Sequence, residues 1–137
     1  MSRRAWRLAT AVRCALLAPR VIARDMPALL ALAPPSSTHV DDAPARTLHA
    51  TRRALALLGR LPGGHWRLTC LYVSVAECLA LRAGGRVARV VLGVARSTGR
   101  GHGAEIAAHA WVECPAAGIA PNARDTGHFV PLRAPAG

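Results

Sequence analysis

Apolar residues recur at helical spacing in the first two segments of the chain. Residues 3–18 contain neither Gly nor Pro and are rich in Ala, Leu and Arg, which predicts a helix that Pro19 stops or bends. A second helix is predicted to begin at Asp41-Asp42 and Pro44, because acidic residues and Pro both favour the first turn. The expected apolar face of this second helix comprises Leu48, Leu55 and Leu58.

A third helix is predicted from Thr69 to Ala83. Thr69 is placed to cap its start, and Gly84-Gly85 is placed to end it. Cys70 then lies in the first turn. The residues that recur at four- and three-residue steps, and so form its expected inner face, are Leu71, Val75, Cys78, Leu79 and Arg82.

The pattern changes to that of strands after these glycines. Residues 87–94 are rich in β-branched side chains, a Gly-containing loop is expected at 96–105, and a second strand is expected at 106–114. A turn at 115–118 follows, and residues 119–132 can supply one or two short strands that end near Phe129-Val130. Alternation divides the second strand into two faces: Ala107, His109, Trp111 and Glu113 on one, and Ala108, Ala110, Val112 and Cys114 on the other.

Helices followed by a small antiparallel sheet define an α+β fold. The 137 residues suffice for one ordinary domain with its own core. A loop-like Pro-Pro-Ser-Ser-Thr run divides an N-terminal helical segment, residues 1–40, from the main domain, residues 41–137. Aromatic residues make up 4% of the chain and hydrophobic residues 52%, so Ala and Leu must supply most of the buried surface.

The charge is strongly basic: 18 basic residues, all Arg, stand against 7 acidic ones, a net charge of +11. Such a balance favours an anionic partner, although a coding preference for Arg over Lys explains it equally well. A nucleic-acid-binding module is one alternative function. Only five aromatic residues and no basic run longer than two Arg argue against it, so we expect no nucleic-acid partner.

The four cysteines follow no C-x-x-C pattern, which argues against a zinc site, and we expect no metal or cofactor. Arg residues interrupt the N-terminal apolar stretch, so no signal peptide is expected there. No stretch reaches the about 18 apolar residues of a membrane span. A cytoplasmic protein with free thiols is the simplest interpretation.

Cys70 is the most promising site for chemistry. The positive end of a helix dipole stabilises a thiolate, and a cysteine nucleophile also needs a base and a third group that orients the base. His109 is the best base, because it lies in an Ala-rich strand beside Trp111. Asp125 and Asn122 are the candidates for the third group. From spacing alone, a purely structural role for Cys70 and His109 remains open.

Three segments of the chain, WRLTCLYVSVAECLALRAGG, ARVVLGVAR and AHAWVE, resemble the leader peptidase of lasso-peptide biosynthesis, the transglutaminase-like B protein. The resemblance covers about residues 45–114. It implies a papain/transglutaminase-like cysteine protease that removes the leader from a ribosomally made precursor before macrolactam formation. Cys70 matches the nucleophile and His109 the base. Asp125 is the first choice for the third residue and Asn122 the second.

The chain departs from this family in three places. The hairpin CPAAGIAPNARD is longer than usual and leaves an Ala at the place nearest to the family's Asp. Tyr72-Val73 replaces a common Pro-Arg pair, and the loop 97–105 is longer than usual. The last two departures affect the expected substrate more than the expected chemistry.

The resemblance also implies partners. The segment before residue 40 has no room for the family's leader-recognition domain, so a separate recognition protein is expected besides the precursor, and the lasso cyclase is a further candidate. The N-terminal helix either docks a partner or packs over the peptidase core. Two functional alternatives stay open: an inactive leader-binding scaffold of the same fold, and transfer to an amine in place of hydrolysis.

Overall fold

The computed structural model describes residues 1–33, 35, 37–97, 105–119 and 128–132. Its helices are α1 (Arg3–Arg24), α2 (Met26–Leu30), α3 (Pro44–Gly59) and α4 (Cys70–Ala83). Its strands are β1 (Arg89–Ser97), β2 (Glu105–Glu113) and β3 (Val130–Pro131). Short 3-10 turns precede α4 at His65–Leu68 and follow β2 at Pro115–Ala117. The predicted α+β class, with helices before an antiparallel sheet, is confirmed.

Pro19 lies inside α1 and does not end it, so the predicted stop is wrong. A proline within a helix removes one backbone hydrogen bond, here the one to the carbonyl of Ala15. Ala11, Ala15 and Ala18 are nevertheless almost completely buried on one side of the helix. This packing compensates for the lost bond and carries α1 through to Arg24.

The predicted start of α3 at Pro44 is confirmed, but Asp41 does more than face the helix dipole. Its buried carboxylate accepts hydrogen bonds from the Thr47 hydroxyl (2.5 Å), the Ala43 N–H (3.3 Å) and the Arg7 guanidinium (3.0 Å). Arg7 belongs to α1, so one carboxylate joins the starts of two helices. Burial of a carboxylate is acceptable here because its oxygens are hydrogen-bonded.

Helix α4 is the centre of the molecule and packs against α1, α3 and β2. Val75, Cys78 and Arg82 of its predicted inner face are buried, whereas Leu71 and Leu79 are half-buried. The helix also buries residues outside that face, because it is enclosed on most of its circumference. The buried residues are Ser74, Val75, Ala76, Glu77, Cys78, Ala80, Leu81 and Arg82. Glu77 accepts a bond from Arg52 of α3 (2.5 Å), which links the two helices.

Arg82 is buried near the end of α4 and connects three parts of the chain. Its Nε donates to the carbonyl of Ala88 (2.9 Å), and its Nη2 donates to the carbonyls of Ala28 (3.0 Å) and Ala31 (2.8 Å). Buried polar groups must be hydrogen-bonded, and a guanidinium can serve several acceptors at once. Arg82 therefore holds the end of α2 and the approach to β1 against α4.

The sheet is antiparallel with strand order β2-β1-β3, so β2 is an edge strand. Both main strands are shifted slightly from their predicted bounds, and most of the predicted loop 96–105 lies outside the described residues. The predicted alternation is confirmed for Ala110, Val112 and Cys114, which belong to the core under the helices. Ala108, predicted on the same face, is exposed. Opposite residues share a face, as in the pair Val90 and Val112.

The inner alanines of α1 belong to the same core as α4 and the sheet, so this helix does pack over the main domain. Its opposite side leaves Leu8 and Leu16 more than half exposed. Packing over the core is therefore confirmed for the inner face of α1, and docking of a partner stays a prediction.

Candidate active site

Cys70 is the first residue of α4, as expected from the sequence. Its side chain is half-buried, whereas Cys14, Cys78 and Cys114 are buried. All four are free. Burial raises the pKa of Cys14 and of Cys78 to about 11. Both thiols therefore stay protonated at neutral pH, and Cys70 is the thiol that a substrate can reach.

The start of α4 has backbone donors that no neighbouring side chain satisfies. Thr69 occupies the N-cap position as predicted, but its hydroxyl donates to the carbonyl of Trp66 (2.8 Å) instead of accepting from the helix. The predicted side-chain cap is therefore wrong. Among the described residues, no partner occupies the N–H groups of Cys70, Leu71 and Tyr72. Such groups stabilise a thiolate or the oxyanion of an acyl-transfer reaction.

An aromatic cluster lies beside this helix start. The rings of Trp66 and Tyr72 lie 4.5 Å apart, and the Arg67 guanidinium lies 4.3 Å from the Trp66 ring centre. Tyr72, which departs from the family pattern, thus packs against the tryptophan of the turn before Cys70. Sequence reasoning missed this cluster. The scarcity of aromatic residues, two of them within seven positions here, was the available signal.

His109 lies on β2 opposite Gly93 of β1, on the face that looks away from the core. Trp111 shares this face; its ring centre lies 6.0 Å from that of His109, and the two ring planes are inclined by 28°. Phe129, just before β3, lies 5.2 Å from the imidazole centre. Two aromatic rings therefore restrict the orientation of the proposed base.

Gly93 is part of this arrangement, and the sequence analysis did not single it out. A Cβ atom there would lie 2.7 Å from two ring carbons of Trp111 and 3.1 Å from the Cβ of Phe129. Real Cβ atoms do not approach other atoms that closely, so the aromatic rings occupy space that only glycine leaves free.

Trp111 is in turn held by a charged pair on the same face. Its Nε1 donates to Oε1 of Glu113 (3.3 Å), and Oε2 of Glu113 accepts from Nε (3.1 Å) and Nη2 (2.9 Å) of Arg89. Arg89 and Glu113 are directly opposite in the sheet. The last residue of the His-Ala-Trp-Val-Glu motif therefore positions its tryptophan.

Cys70 and His109 belong to elements that pack together and run in the same direction. The short turn after α4 reverses the chain into β1, and β1 is antiparallel to β2. Cys70 begins the helix that packs against β2, the strand that carries His109. The core residues Ala110, Val112 and Cys114 belong to the other face of β2 from His109.

No hydrogen bond joins Cys70 to His109 within the described part of the chain. Bonds between catalytic groups are often long before substrate binds, so the pairing of these two residues stays a prediction. Asp125 and Asn122 lie outside the described residues, as does His102.

The described residues contain no cluster of three or more side chains that could hold a metal ion. They also contain no helix that is both long enough and apolar enough to cross a membrane.

Comparison with known proteins identifies the family. No curated protein and no solved structure matches the chain significantly. The family model of the transglutaminase-like superfamily, however, matches residues 5–134, almost the whole chain and including α1. With a cysteine at the start of a central helix and an antiparallel sheet packed beside it, the chain belongs to the transglutaminase-like superfamily.

Proposed function

We propose that this protein is a cysteine peptidase that removes the leader peptide from a lasso-peptide precursor before the macrolactam is formed. Its superfamily includes cysteine proteases. The observation that carries the proposal is the position of Cys70, a half-buried thiol at the start of a central helix with backbone N–H groups left open around it. The resemblance of the Cys70 and His109 segments to leader peptidases supplies the substrate.

In the proposed reaction, the Cys70 thiolate attacks the carbonyl carbon of the leader–core peptide bond. A C–S bond forms, and the oxyanion accepts hydrogen bonds from the N–H groups at the start of α4. His109 protonates the leaving amine, and the C–N bond breaks. Water, deprotonated by His109, then releases the acyl group and restores the thiol. Asp125, or Asn122 in its place, orients His109.

The proposed partners are the precursor, a separate leader-recognition protein and the lasso cyclase that consumes the product. The reaction is placed in the cytoplasm, where free thiols persist. Both hydrolysis and transfer to an amine would free the amino terminus of the core peptide. Hydrolysis is the proposed route, because water alone suffices to release the leader acyl group from Cys70.

The direct test incubates the purified chain with a lasso-peptide precursor and a separate leader-recognition protein, and follows peptide masses. We expect an intact leader and a core peptide whose summed mass exceeds the precursor by one water. Cys70→Ala is expected to abolish this cleavage, while Cys14→Ala, which removes a buried thiol from α1, retains it.

The variants His109→Ala, Asp125→Ala and Asn122→Ala then assign the other two roles. A loss of about a thousandfold or more in kcat identifies the base and its orienting residue. A folded wild-type chain that binds the recognition protein but leaves the precursor intact would contradict the peptidase proposal and favour the inactive scaffold. A product mass that includes an added amine would identify a transferase.

A further inference from the structure

A groove of about 490 Å³ lies between the outer faces of α1 and α3, away from the sheet. Its apolar wall includes Leu8 and Leu57, each 60% exposed, and Val12, 38% exposed. Ala50 and Ala54 of α3 also line the groove, and their small side chains leave its space unfilled. Apolar side chains gathered in one concave surface indicate a binding site, whereas isolated exposed ones do not.

The rim of this groove is basic. Arg4, Arg46 and Arg53 line it, and none of the three forms an ion pair with any described residue. Arg7 also lines the groove, but it is already paired with Asp41 and contributes little net charge. No acidic residue lines the groove. The surface therefore combines an apolar floor with uncompensated positive charge.

We propose that this groove binds an acidic amphipathic segment of the peptide substrate, at a distance from the bond that is cut. Leucine-like side chains of the segment fill the space over the alanines, and its carboxylates pair with the rim arginines. From Arg46 to Leu57 the groove follows α3 for about 16 Å, which matches about three turns of a bound helix. The source of the segment rests on the proposed function.

The position of the groove favours the substrate over an unrelated partner. Its Leu57 end lies at the end of α3, where a Cβ atom on Gly59 would lie 3.1 Å from the Leu68 side chain. Leu68 precedes Cys70 by two residues. A polypeptide bound in the groove can therefore continue over this turn toward Cys70.

A lipid surface fits less well. The apolar residues line a concave surface between two helices. A flat bilayer fills such a surface less completely than an inserted peptide helix does.

Binding is tested on the full-length Cys70→Ala chain with a fluorescent peptide of about 14 residues, carrying Leu at every third or fourth position and Glu elsewhere. We expect anisotropy to show saturable binding that falls about tenfold in Arg46→Glu/Arg53→Glu. The matched control, Arg20→Glu/Arg24→Glu, changes the net charge equally at exposed positions in the last turns of α1 and should retain most of the affinity. A peptide with Gln for Glu should bind weakly to all variants.

A second measurement distinguishes a substrate from another acidic partner. The same peptide carries an acrylamide on a short Gly-Ser linker and is added to the wild-type chain. The thiolate adds to the terminal alkene carbon, a proton from water completes the adduct, and mass spectrometry follows the rate. Because the other thiols are buried, Cys70 is the expected target. Tethering should accelerate its alkylation about a hundredfold over free acrylamide, and Arg46→Glu/Arg53→Glu should remove most of that acceleration.

Three outcomes would overturn the inference. Equal loss of binding in both double variants would show that binding depends on net charge and not on the groove. Binding without faster alkylation assigns the groove to a partner other than the substrate. Binding to phosphatidylserine vesicles that depends on Arg46 and Arg53, without peptide binding, assigns it to a membrane. Circular dichroism of each variant confirms folding. Both binding and alkylation are independent of leader cleavage, so failure of the proposed function would be recognised separately.

Discussion

The four cysteines have the same chemistry and differ in use because of where each side chain lies. Burial keeps Cys14 and Cys78 protonated, and Cys114 is completely buried in the core. Cys70 alone combines partial exposure with the start of a helix. The sequence predicts its position at the start of a helix, and the structure shows that the other three thiols are buried.

Thiol accessibility gives a first prediction at this scale. In the native protein, a thiol reagent such as dithionitrobenzoate should react rapidly with one of the four cysteines, and with all four after denaturation. Cys70→Ala should abolish the fast phase, and Cys14→Ala should leave it unchanged. A second fast thiol in the folded chain would contradict the burial described above.

Gly93 gives a second prediction for a single residue. Gly93→Ala should cost about 1–3 kcal/mol of unfolding free energy, because the new methyl overlaps the Trp111 ring. It should also lower kcat for leader cleavage about tenfold, because the displaced indole no longer orients His109. Chemical denaturation and the cleavage assay measure the two effects.

A double variant tests the cause. The two clashing carbons belong to the outer ring of the indole, which phenylalanine lacks. Gly93→Ala/Trp111→Phe should therefore be more stable than the sum of the two single variants predicts. Additive losses would show that the methyl clashes with something else.

At the scale of elements, the start of α4 matters most. Helices usually begin with a side chain that accepts hydrogen bonds from the first turn. Thr69 instead bonds back to the turn that precedes it, and the open donors lie next to Cys70. The helix therefore lacks a stabilising side-chain cap at the place where the proposed chemistry needs free N–H groups.

The third prediction uses this trade-off. Thr69→Asp should raise the unfolding free energy by about 1 kcal/mol, since aspartate is a good N-cap residue. It should lower kcat/KM for leader cleavage at least about tenfold, because the carboxylate claims the N–H groups and repels the thiolate. Thr69→Val, which removes the hydroxyl without adding an acceptor, should lose about 1 kcal/mol and retain most activity. Full activity in Thr69→Asp would exclude these donors from the reaction.

At the scale of the whole molecule, Asp41 joins segments that are distant in sequence. Its side chain binds Arg7 of α1 and Thr47 of α3, while its backbone N–H donates to the carbonyl of Gly84 at the end of α4 (2.9 Å). Arg86 donates to its carbonyl (2.8 Å). Burial by itself would raise the pKa of Asp41, but the hydrogen bonds from Thr47, Arg7 and Ala43 outweigh it and hold the pKa below its ordinary value.

The fourth prediction is a pH dependence of stability. A carboxyl whose folded-state pKa is lowered stabilises the fold above its unfolded pKa, and this contribution disappears as the pH falls through the folded value. Asp41→Asn should therefore cost about 2 kcal/mol at pH ~7, and the difference from wild type should shrink steadily below pH ~4. Urea denaturation at each pH measures it.

Asp42→Asn is the matched control, because its side chain is mostly exposed and its ion pairs with Arg3 and Arg7 lie at the surface. It should cost less than about 1 kcal/mol at neutral pH. A pH-independent difference between wild type and Asp41→Asn would contradict the role of the ionised carboxylate.

The sequence alone determined the features that depend on neighbours along the chain. The helix beginning at Pro44, the helix that presents Cys70 at its start and the alternating faces of β2 all follow from spacing and local preference. The lasso-peptide assignment and the roles of Asp125 and Asn122 stay predictions, because no contact in the described residues tests them.

Only the tertiary structure decided what depends on segments distant in sequence. Helix α1 continues past Pro19 because core packing compensates for one lost hydrogen bond, which local propensity cannot register. The hydroxyl of Thr69 turns away from its own helix because the preceding turn offers a carbonyl. Gly93 matters because an indole from the next strand fills its space. Backbone preference is local, whereas burial, ion pairing and steric fit exist only once distant residues meet.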